Sequence, residues 1–214
     1  MTRHCIIDTG GSRSFPATHA LIESTAEDGE NLVFIGKDAG KRYAPDDSKI
    51  AILIELGTEC LGVHTGEDAG REGSNVLGFT RFRVGDGDPS DLIELVRQPN
   101  TKAEAIEAAT RMLEDVGFEV ALCNDFAGRI IDRLVRPYYN DALKALDEGL
   151  ATADDFDLTV RLGLGYRDGP IQLLTETGLH HHHDVTKALF DAYGERHYAP
   201  ARRALVAKTR QSES

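Results

Sequence analysis

Four consecutive histidines, His180 to His183, are the densest run of chemically capable side chains in this chain. On a helix, His180 and His183 stand at i and i+3, where two imidazoles can share a metal ion, and Asp184 could add a carboxylate. The run follows Gly178-Leu179 at an expected helix start, so the residues argue for no resident metal, and adventitious nickel or zinc is the plainer reading. Arg129, Arg133 and Arg136 share one side of another expected helix, where they could hold phosphate groups or pair with the many carboxylates. Cys5, Cys60 and Cys123 are scattered and odd in number, which excludes a disulfide framework, and without a Cys-x-x-Cys pair neither a zinc ribbon nor a thioredoxin-type site is supported. Cys60 and Cys123 are expected as small buried hydrophobes, and the isolated His4, His19 and His64 as surface or loop residues. Thr9-Gly10-Gly11-Ser12 follows a first apolar run. A dinucleotide turn there would need Gly-x-Gly-x-x-Gly, so that backbone and helix N-terminus meet the pyrophosphate; Phe15-Pro16 follows instead, and the stretch reads as a simple turn.

These residues are carried on two kinds of element. Cys5–Asp8, Asn31–Gly36, Ile50–Leu56, Asn75–Phe79, Leu92–Val96 and Phe118–Leu122 are short apolar runs that read as strands of a parallel or mixed sheet. Between them come a short helix over Ala17–Ser24, a charged loop over Lys37–Ser48, a Gly-rich loop over Asp68–Ser74, and a helix opened by the capping box Thr101-Lys-Ala-Glu104. From about Asn124 to Glu148 the spacing of Phe126, Ile130, Leu134 and Tyr138 predicts one long helix with a wide buried stripe, capped by Asp125 and kinked at Pro137. The rest reads as helical: a helix capped by Thr152, one from Gly169-Pro170 to Gly178, one from His181 to about Tyr193, and a short one from Pro200 with a frayed tail after Lys208.

The 214 residues are 41% hydrophobic and 28% charged, an ordinary globular balance long enough for one large domain or two small ones. The formal net charge of -12 repels a nucleic-acid backbone or an anionic membrane overall, so neither is an expected partner. The start of the chain lacks a long apolar core with a small-residue cleavage site, and no stretch is apolar enough to cross a bilayer. The expectation is a soluble, cytoplasmic protein.

Several ordered motifs resemble the 3-hydroxyacyl-CoA dehydrogenase family. The segment opening that family's C-terminal domain runs Asp-x-Pro-Gly-Phe-Ile-x-Asn-Arg-Leu, then Pro-Tyr, then Asn-Glu-Ala. Asp125, Gly128, Ile130, Arg133, Leu134, Pro137, Tyr138, Asn140 and Ala142 agree with it, while Ala127 stands for the proline, Arg129 for the phenylalanine and Asp132 for the asparagine. Glu148-Gly149, the stretch Arg161–Pro170 and Tyr198-Ala-Pro200 continue the resemblance, which spans roughly Asn75 to Leu205. The family transfers hydride to NAD while a histidine, charged by a glutamate, takes the hydroxyl proton. In Gly78-Phe79-Thr80-Arg81-Phe82, Thr80 occupies the histidine position, and Glu94 fits the glutamate, as a relic or simply as an exposed strand residue. Thr58 is the loose counterpart of a site serine, and Asp132 replaces an asparagine bordering the active site.

The resemblance implies an α/β plus all-α chain. A reduced Rossmann-like domain over 1–123 precedes a 6-phosphogluconate-dehydrogenase-type helical domain over 124–214, like the second, degenerate module of two-module 3-hydroxybutyryl-CoA dehydrogenases. It further implies a family protein of acyl-CoA metabolism with Glu94, Thr80, Asp132 and Thr58 at the site positions and its catalysis impaired. No bound NAD is expected, acyl-CoA is a candidate ligand, and the three arginines could hold coenzyme A phosphates. The alternative is a non-catalytic dimerisation or regulatory module. The family dimerises through the helical domain, and Leu134, Tyr138, Leu146, Leu162, Leu164, Ile171, Leu174 and Leu189 offer more apolar surface than so small a bundle buries alone.

Overall fold

The structure, a computed structural model, describes residues 3–66 and 74–212, so the expected Gly-rich loop lies outside the described residues up to position 73. The chain divides into two compact units, Met1–Phe82 with Pro89–Ile130, and Arg83–Asp88 with Ile131–Ser214.

The first unit is built on a sheet of six strands among the described residues: β1 His4–Asp8, β2 Asn31–Ile35, β3 Ala51–Glu55, β4 Val76–Arg81, β5 Leu92–Arg97 and β6 Glu119–Asn124. All six apolar runs read as strands in the sequence form strands. Ile52, Leu53 and Ile54 are fully buried in succession, as expected of a central strand covered on both faces. One face packs Leu53, Leu77, Phe79, Ile93 and Leu95 against Ala105, Ala109, Met112 and Leu113 of the helix Ala103–Glu114; the other packs Phe34, Ile52, Ile54 and Val96 with Ala39 and Leu61. The spatial order is β1-β2-β3-β4-β5-β6, with every pair parallel except β4 with β5. Among the described residues the strand order therefore follows the chain order without a reversal.

The helices of this unit, numbered in chain order, are α1 Ala20–Glu23, α2 Ala39–Arg42, α3 Gly62–Thr65 and α4 Ala103–Glu114. Two local expectations are corrected here. Thr101 does not cap α4: its hydroxyl accepts from the Gln98 amide at 2.9 Å, closing the preceding turn, and Lys102 takes the cap position without a side-chain bond. His4 is not a surface residue; it is buried on β1 with Nε2 2.7 Å from the Leu21 carbonyl.

The second unit holds α5 Ile131–Asp147, α6 Ala153–Leu164, α7 Pro170–Thr177, α8 Leu179–Tyr193, a 3-10 turn Arg196–Tyr198 and α9 Arg202–Ser212. The long helix therefore starts seven residues after Asn124. Gly128 at φ +70° and Arg129 at φ +48° are left-handed and break the chain before it, so Asp125 cannot cap it. The predicted buried row is also corrected: Leu134 is 70% exposed, and Phe126 and Ile130 are exposed as well. The buried side of α5 is Arg136, Tyr139, Asn140, Ala142 and Leu143; the helix packs against α7, α8 and the 3-10 turn, where Ile171, Leu174, Leu189 and Tyr198 are buried too. Pro137 lies inside α5 without ending it. Thr152 does cap α6, accepting from the Asp155 amide at 3.2 Å, and Pro170 opens α7 as its position predicts. The tail is ordered further than expected, since α9 runs through Lys208, whose ammonium meets Asp184 at 2.7 Å. Among the described residues no helix is long and apolar enough to cross a membrane.

Asp157 of α6 does the work of a cap for its neighbour: its buried carboxylate accepts from the Ile171 and Gln172 amides at 2.9 and 2.8 Å. A Cβ at Gly169 would collide with that side chain, so the approach depends on glycine. Asp157→Ala strands two helix-terminal donors and is expected to lower unfolding stability by about 2 kcal/mol, with Asp157→Asn losing less, as read from urea denaturation midpoints.

Candidate functional site

The antiparallel pairing of β4 and β5 sets Thr80 directly opposite Glu94. The two positions that the sequence resemblance set against a histidine and a glutamate are thus cross-strand neighbours on one face. Glu94 is not an exposed strand residue; it is 3% exposed. Its Oε1 accepts from the Ile130 amide at 2.8 Å, and its Oε2 lies 3.8 Å from Nε of the buried Arg129. Arg129 reaches this place because of its left-handed backbone, and its guanidinium also donates to the carbonyls of Gly57 and Glu59. The Gly128 amide donates to the Thr58 carbonyl at 2.8 Å. Asp125 accepts from the amides of Leu61 and Gly62 at 2.6 and 2.8 Å and from the Gln98 side chain at 3.0 Å. The segment 125–130 is therefore stitched to the loop after β3 on one side and to Glu94 on the other. Of the sequence-named residues, Thr58, Thr80 and Glu94 belong to this unit. Thr58 enters through its carbonyl, not its hydroxyl.

Arg129 is the residue that sequence reasoning misplaced. It is an internal cation beside Glu94, so the expected pairing with a carboxylate is borne out, but it stands before α5 rather than on a helix face. The signal was present: an arginine replacing the family's phenylalanine directly after a glycine. Cys123 is no nucleophile here. Burial first, and then the negative charge of Glu94, push its thiol up to about 11, so it stays protonated at neutral pH.

At the carboxyl ends of β1 to β3 lies a cavity of about 220 Å³ lined by Gly11, Lys37, Glu55, Glu59 and His64 among others. Glu55 is buried at the end of β3, where its two oxygens accept from the Ser14 amide at 2.8 Å and the Gly36 amide at 2.6 Å. These amides belong to the loops after β1 and β2, where a dinucleotide-binding sheet would present donors to a phosphate. The Lys37 amide bonds the Gly10 carbonyl at 3.0 Å, closing one loop on the other, and the next helix, Ala20–Glu23, is a single turn. Glu59 is held as a carboxylate. Burial works to raise its pKa, but the hydrogen bond from His64 and the Gly57 amide outweigh it and bring it to about 2.

In the helical unit Asp132 begins a buried polar chain. Its Oδ1 accepts from Nε of Arg136 at 2.7 Å, the Arg136 guanidinium lies 3.4 Å from Nδ1 of His182, and Nε2 of His182 is 3.0 Å from Oδ1 of Asn140. Asn140 donates onward to the carbonyls of His197 and Ala199. Nδ1 must accept from arginine, so the imidazole must be neutral. Burial, and then the Arg136 charge, bring His182 down to about 3. His182, not His180 or His183, is thus the histidine of the run that the interior uses, and Arg136 is an ion-pair residue rather than a free phosphate ligand.

His182 binds no proton in the folded chain down to about pH 3, while an unfolded imidazole takes one near pH 6.5. A depressed histidine pKa leaves stability intact above the unfolded value and erodes it as pH falls below about 6.5, by up to ~1.4 kcal/mol per pH unit. Denaturation midpoints measured between pH 7 and pH 4 are expected to show this loss, and His182→Asn to remove one proton's worth of the slope. An imidazole NMR resonance of His182 that titrates near pH 6 contradicts the assignment.

Residues 128–213 match the family described as 3-hydroxyacyl-CoA dehydrogenase, C-terminal domain. The chain is 34% identical over 104 residues to the mitochondrial hydroxyacyl-coenzyme A dehydrogenase of Sus scrofa, a match covering 49% of this chain and 32% of that enzyme. The chain thus spans about a third of the length of that curated relative. In fold it is similar to FadB2 of M. tuberculosis, with a TM-score of 0.69 at 24% identity over 87% of this chain and 66% of that one. It is likewise similar to the (S)-3-hydroxybutyryl-CoA dehydrogenase PaaH1 of Ralstonia eutropha, with a TM-score of 0.71 at 17% identity over 88% and 69%. Those neighbours share the two-part architecture of a mostly parallel sheet followed by helices. Its helical unit is thus similar to the C-terminal domain of the 3-hydroxyacyl-CoA dehydrogenase family.

Proposed function

We propose that this protein serves fatty acyl-CoA metabolism as a family member with impaired hydride-transfer chemistry, that it holds no NAD, and that it binds acyl-CoA as a homodimer formed through the helical unit. The reading is carried by one observation, Thr80 facing Glu94 across β4 and β5. A threonine hydroxyl cannot accept a proton near pH 7, and general acid–base catalysis is typically worth about a hundred- to ten-thousand-fold. Glu94 has in addition a structural employment, with Ile130 and Arg129 around its carboxylate. The residues at the strand ends do not fit a dinucleotide. Glu55 takes the amides that would meet phosphate.

A second reading, a non-catalytic dimerisation or regulatory module that partners an acyl-CoA enzyme, is favoured by the exposed leucines of the helical unit. Leu162 is 77% exposed and Leu164 and Leu134 scarcely less, whereas Ile171, Leu174 and Leu189, first counted with the same surface, are buried inside the unit. A cavity of about 480 Å³ between α5 and α6, lined by Tyr138, Ala142, Leu150, Phe156 and Val160, adds apolar surface.

With acetoacetyl-CoA and NADH the purified protein is expected to turn over at background, and calorimetric titration to find no saturable micromolar NAD site. Family-like turnover abolished by Glu94→Gln overturns the impaired reading. Light scattering at micromolar concentration is expected to give twice the chain's 23.4 kDa. An obligate interface of that kind buries on the order of 2,000 Å². Leu134→Asp, at an exposed position, should shift the mass to the monomer, and the melting temperature of the unmodified chain should rise with protein concentration while that of Leu134→Asp does not. A monomeric mass for the unmodified chain refutes the dimer.

A further inference from the structure

The histidine run places its four side chains in different surroundings. His182 is inside, bonded to Asn140. His183 turns to Asp184, with Nδ1 3.1 Å from Oδ1. The i and i+3 pair of the sequence reading therefore does not converge. His180 and His181 remain, with ring centroids 3.9 Å apart at the first turn of α8. Both meet Asp86 of the segment Arg83–Asp88, which belongs to the same helical unit. Donor atoms of Asp86, His180 and His181 all lie within 4.8 Å of one another, and His181 Nε2 is 3.1 Å from Asp86 Oδ2. The edge of a tetrahedron around zinc with bonds of about 2.1 Å is about 3.4 Å. The His181–Asp86 pair already stands near ligand separation, and rotation about side-chain bonds brings His180 in.

The position of Asp86 is fixed by backbone, not by its own side chain. Its amide donates to the Thr177 carbonyl at 2.9 Å, and the Gly87 amide closes a turn on the Val84 carbonyl at 3.0 Å. Arg83 ties the turn from within, donating to the carbonyls of Gly87 at 2.6 Å and Asp86 at 3.1 Å. Gly85, at φ +53°, lies so close on Thr177 that any Cβ would run into its carbonyl. The turn is thus pressed onto the junction of α7 and α8, and it presents a carboxylate to two imidazoles of the next helix.

We propose that Asp86, His180 and His181 bind one divalent transition-metal ion of borderline softness, Zn2+ foremost, with water completing the coordination. Two imidazole nitrogens and one carboxylate oxygen suit zinc, nickel, cobalt and copper, whereas magnesium and calcium take sites made of oxygen. The positive end of the α8 dipole works against a cation here, and the full charge of Asp86 outweighs it. Lys208, the nearby ammonium, is already paired with Asp184 at 2.7 Å.

The test uses the full chain without a purification tag, freed of metal by chelator and titrated with zinc chloride by calorimetry. One equivalent is expected to bind at micromolar affinity or tighter, unaffected by millimolar magnesium, and to raise the melting temperature. Asp86→Asn and His181→Ala should each weaken binding by about tenfold or more. His183→Gln should leave it unchanged. Asp86 is exposed on its turn, so Asp86→Asn should melt like the parent in the absence of zinc, which separates a lost ligand from a lost fold. Absence of saturable binding, or zinc held equally well by Asp86→Asn, overturns the proposal. Loss of binding in His183→Gln also overturns it, by placing the ion on the i and i+3 pair instead.

Discussion

Arg129 beside Glu94 is the constraint on which the first unit depends. Both charges are buried, 3.8 Å apart, and neither could be taken from water alone without a large desolvation cost. Removing one partner of such a pair typically costs about 3–5 kcal/mol, because the other stays buried and unpaired. The pair is reached only through the left-handed step at Gly128 and Arg129, which turns the arginine back towards the loop after β3. That step delays α5 until Ile131 and frees the Ile130 amide for Glu94. One local backbone conformation therefore decides where the sheet unit ends, where the long helix begins and what Glu94 can do.

The sheet was legible because its central strands are buried on both faces, and continuous apolar runs such as Ala51–Ile54 have few other fates. Helix boundaries at Thr152, Gly169-Pro170 and Gly178 were legible because their cap chemistry is local. The row Phe126, Ile130, Leu134 was misread as buried. Apolar periodicity reports that surface should leave water, but not whether the same chain covers it. Asp125 was misread as a helix cap for a related reason: a capping carboxylate bonds whichever backbone amides tertiary structure brings, and here those of Leu61 and Gly62 come from far along the sequence.

The histidine run shows the limit of spacing arguments most sharply. At a helix start all four imidazoles look alike in sequence. Packing then separates them, sending His182 into a chain from Asp132 through Arg136 to Asn140 while its neighbours stay half-buried and meet Asp86 and Asp184. Asp132 was noted only as a substitution at a position bordering the resembled site. Its carboxylate completes the charge of that internal chain, and a neutral asparagine there would leave the buried Arg136 without its ion pair.

The sheet unit holds the carboxylates of Glu55, Asp125 and Glu94 against backbone amides, two of them at or just beyond the carboxyl end of a strand. Glu55 ends β3, Asp125 follows β6, and Glu94 lies within β5. Backbone amides gathered at strand ends are the means by which α/β sheets hold anionic groups of ligands. When the anion is a side chain of the protein, the same donors are satisfied permanently, and the loops that carry them close. A bound phosphate would have to displace a carboxylate that is already desolvated and fully bonded, so it would gain little and strand a buried charge.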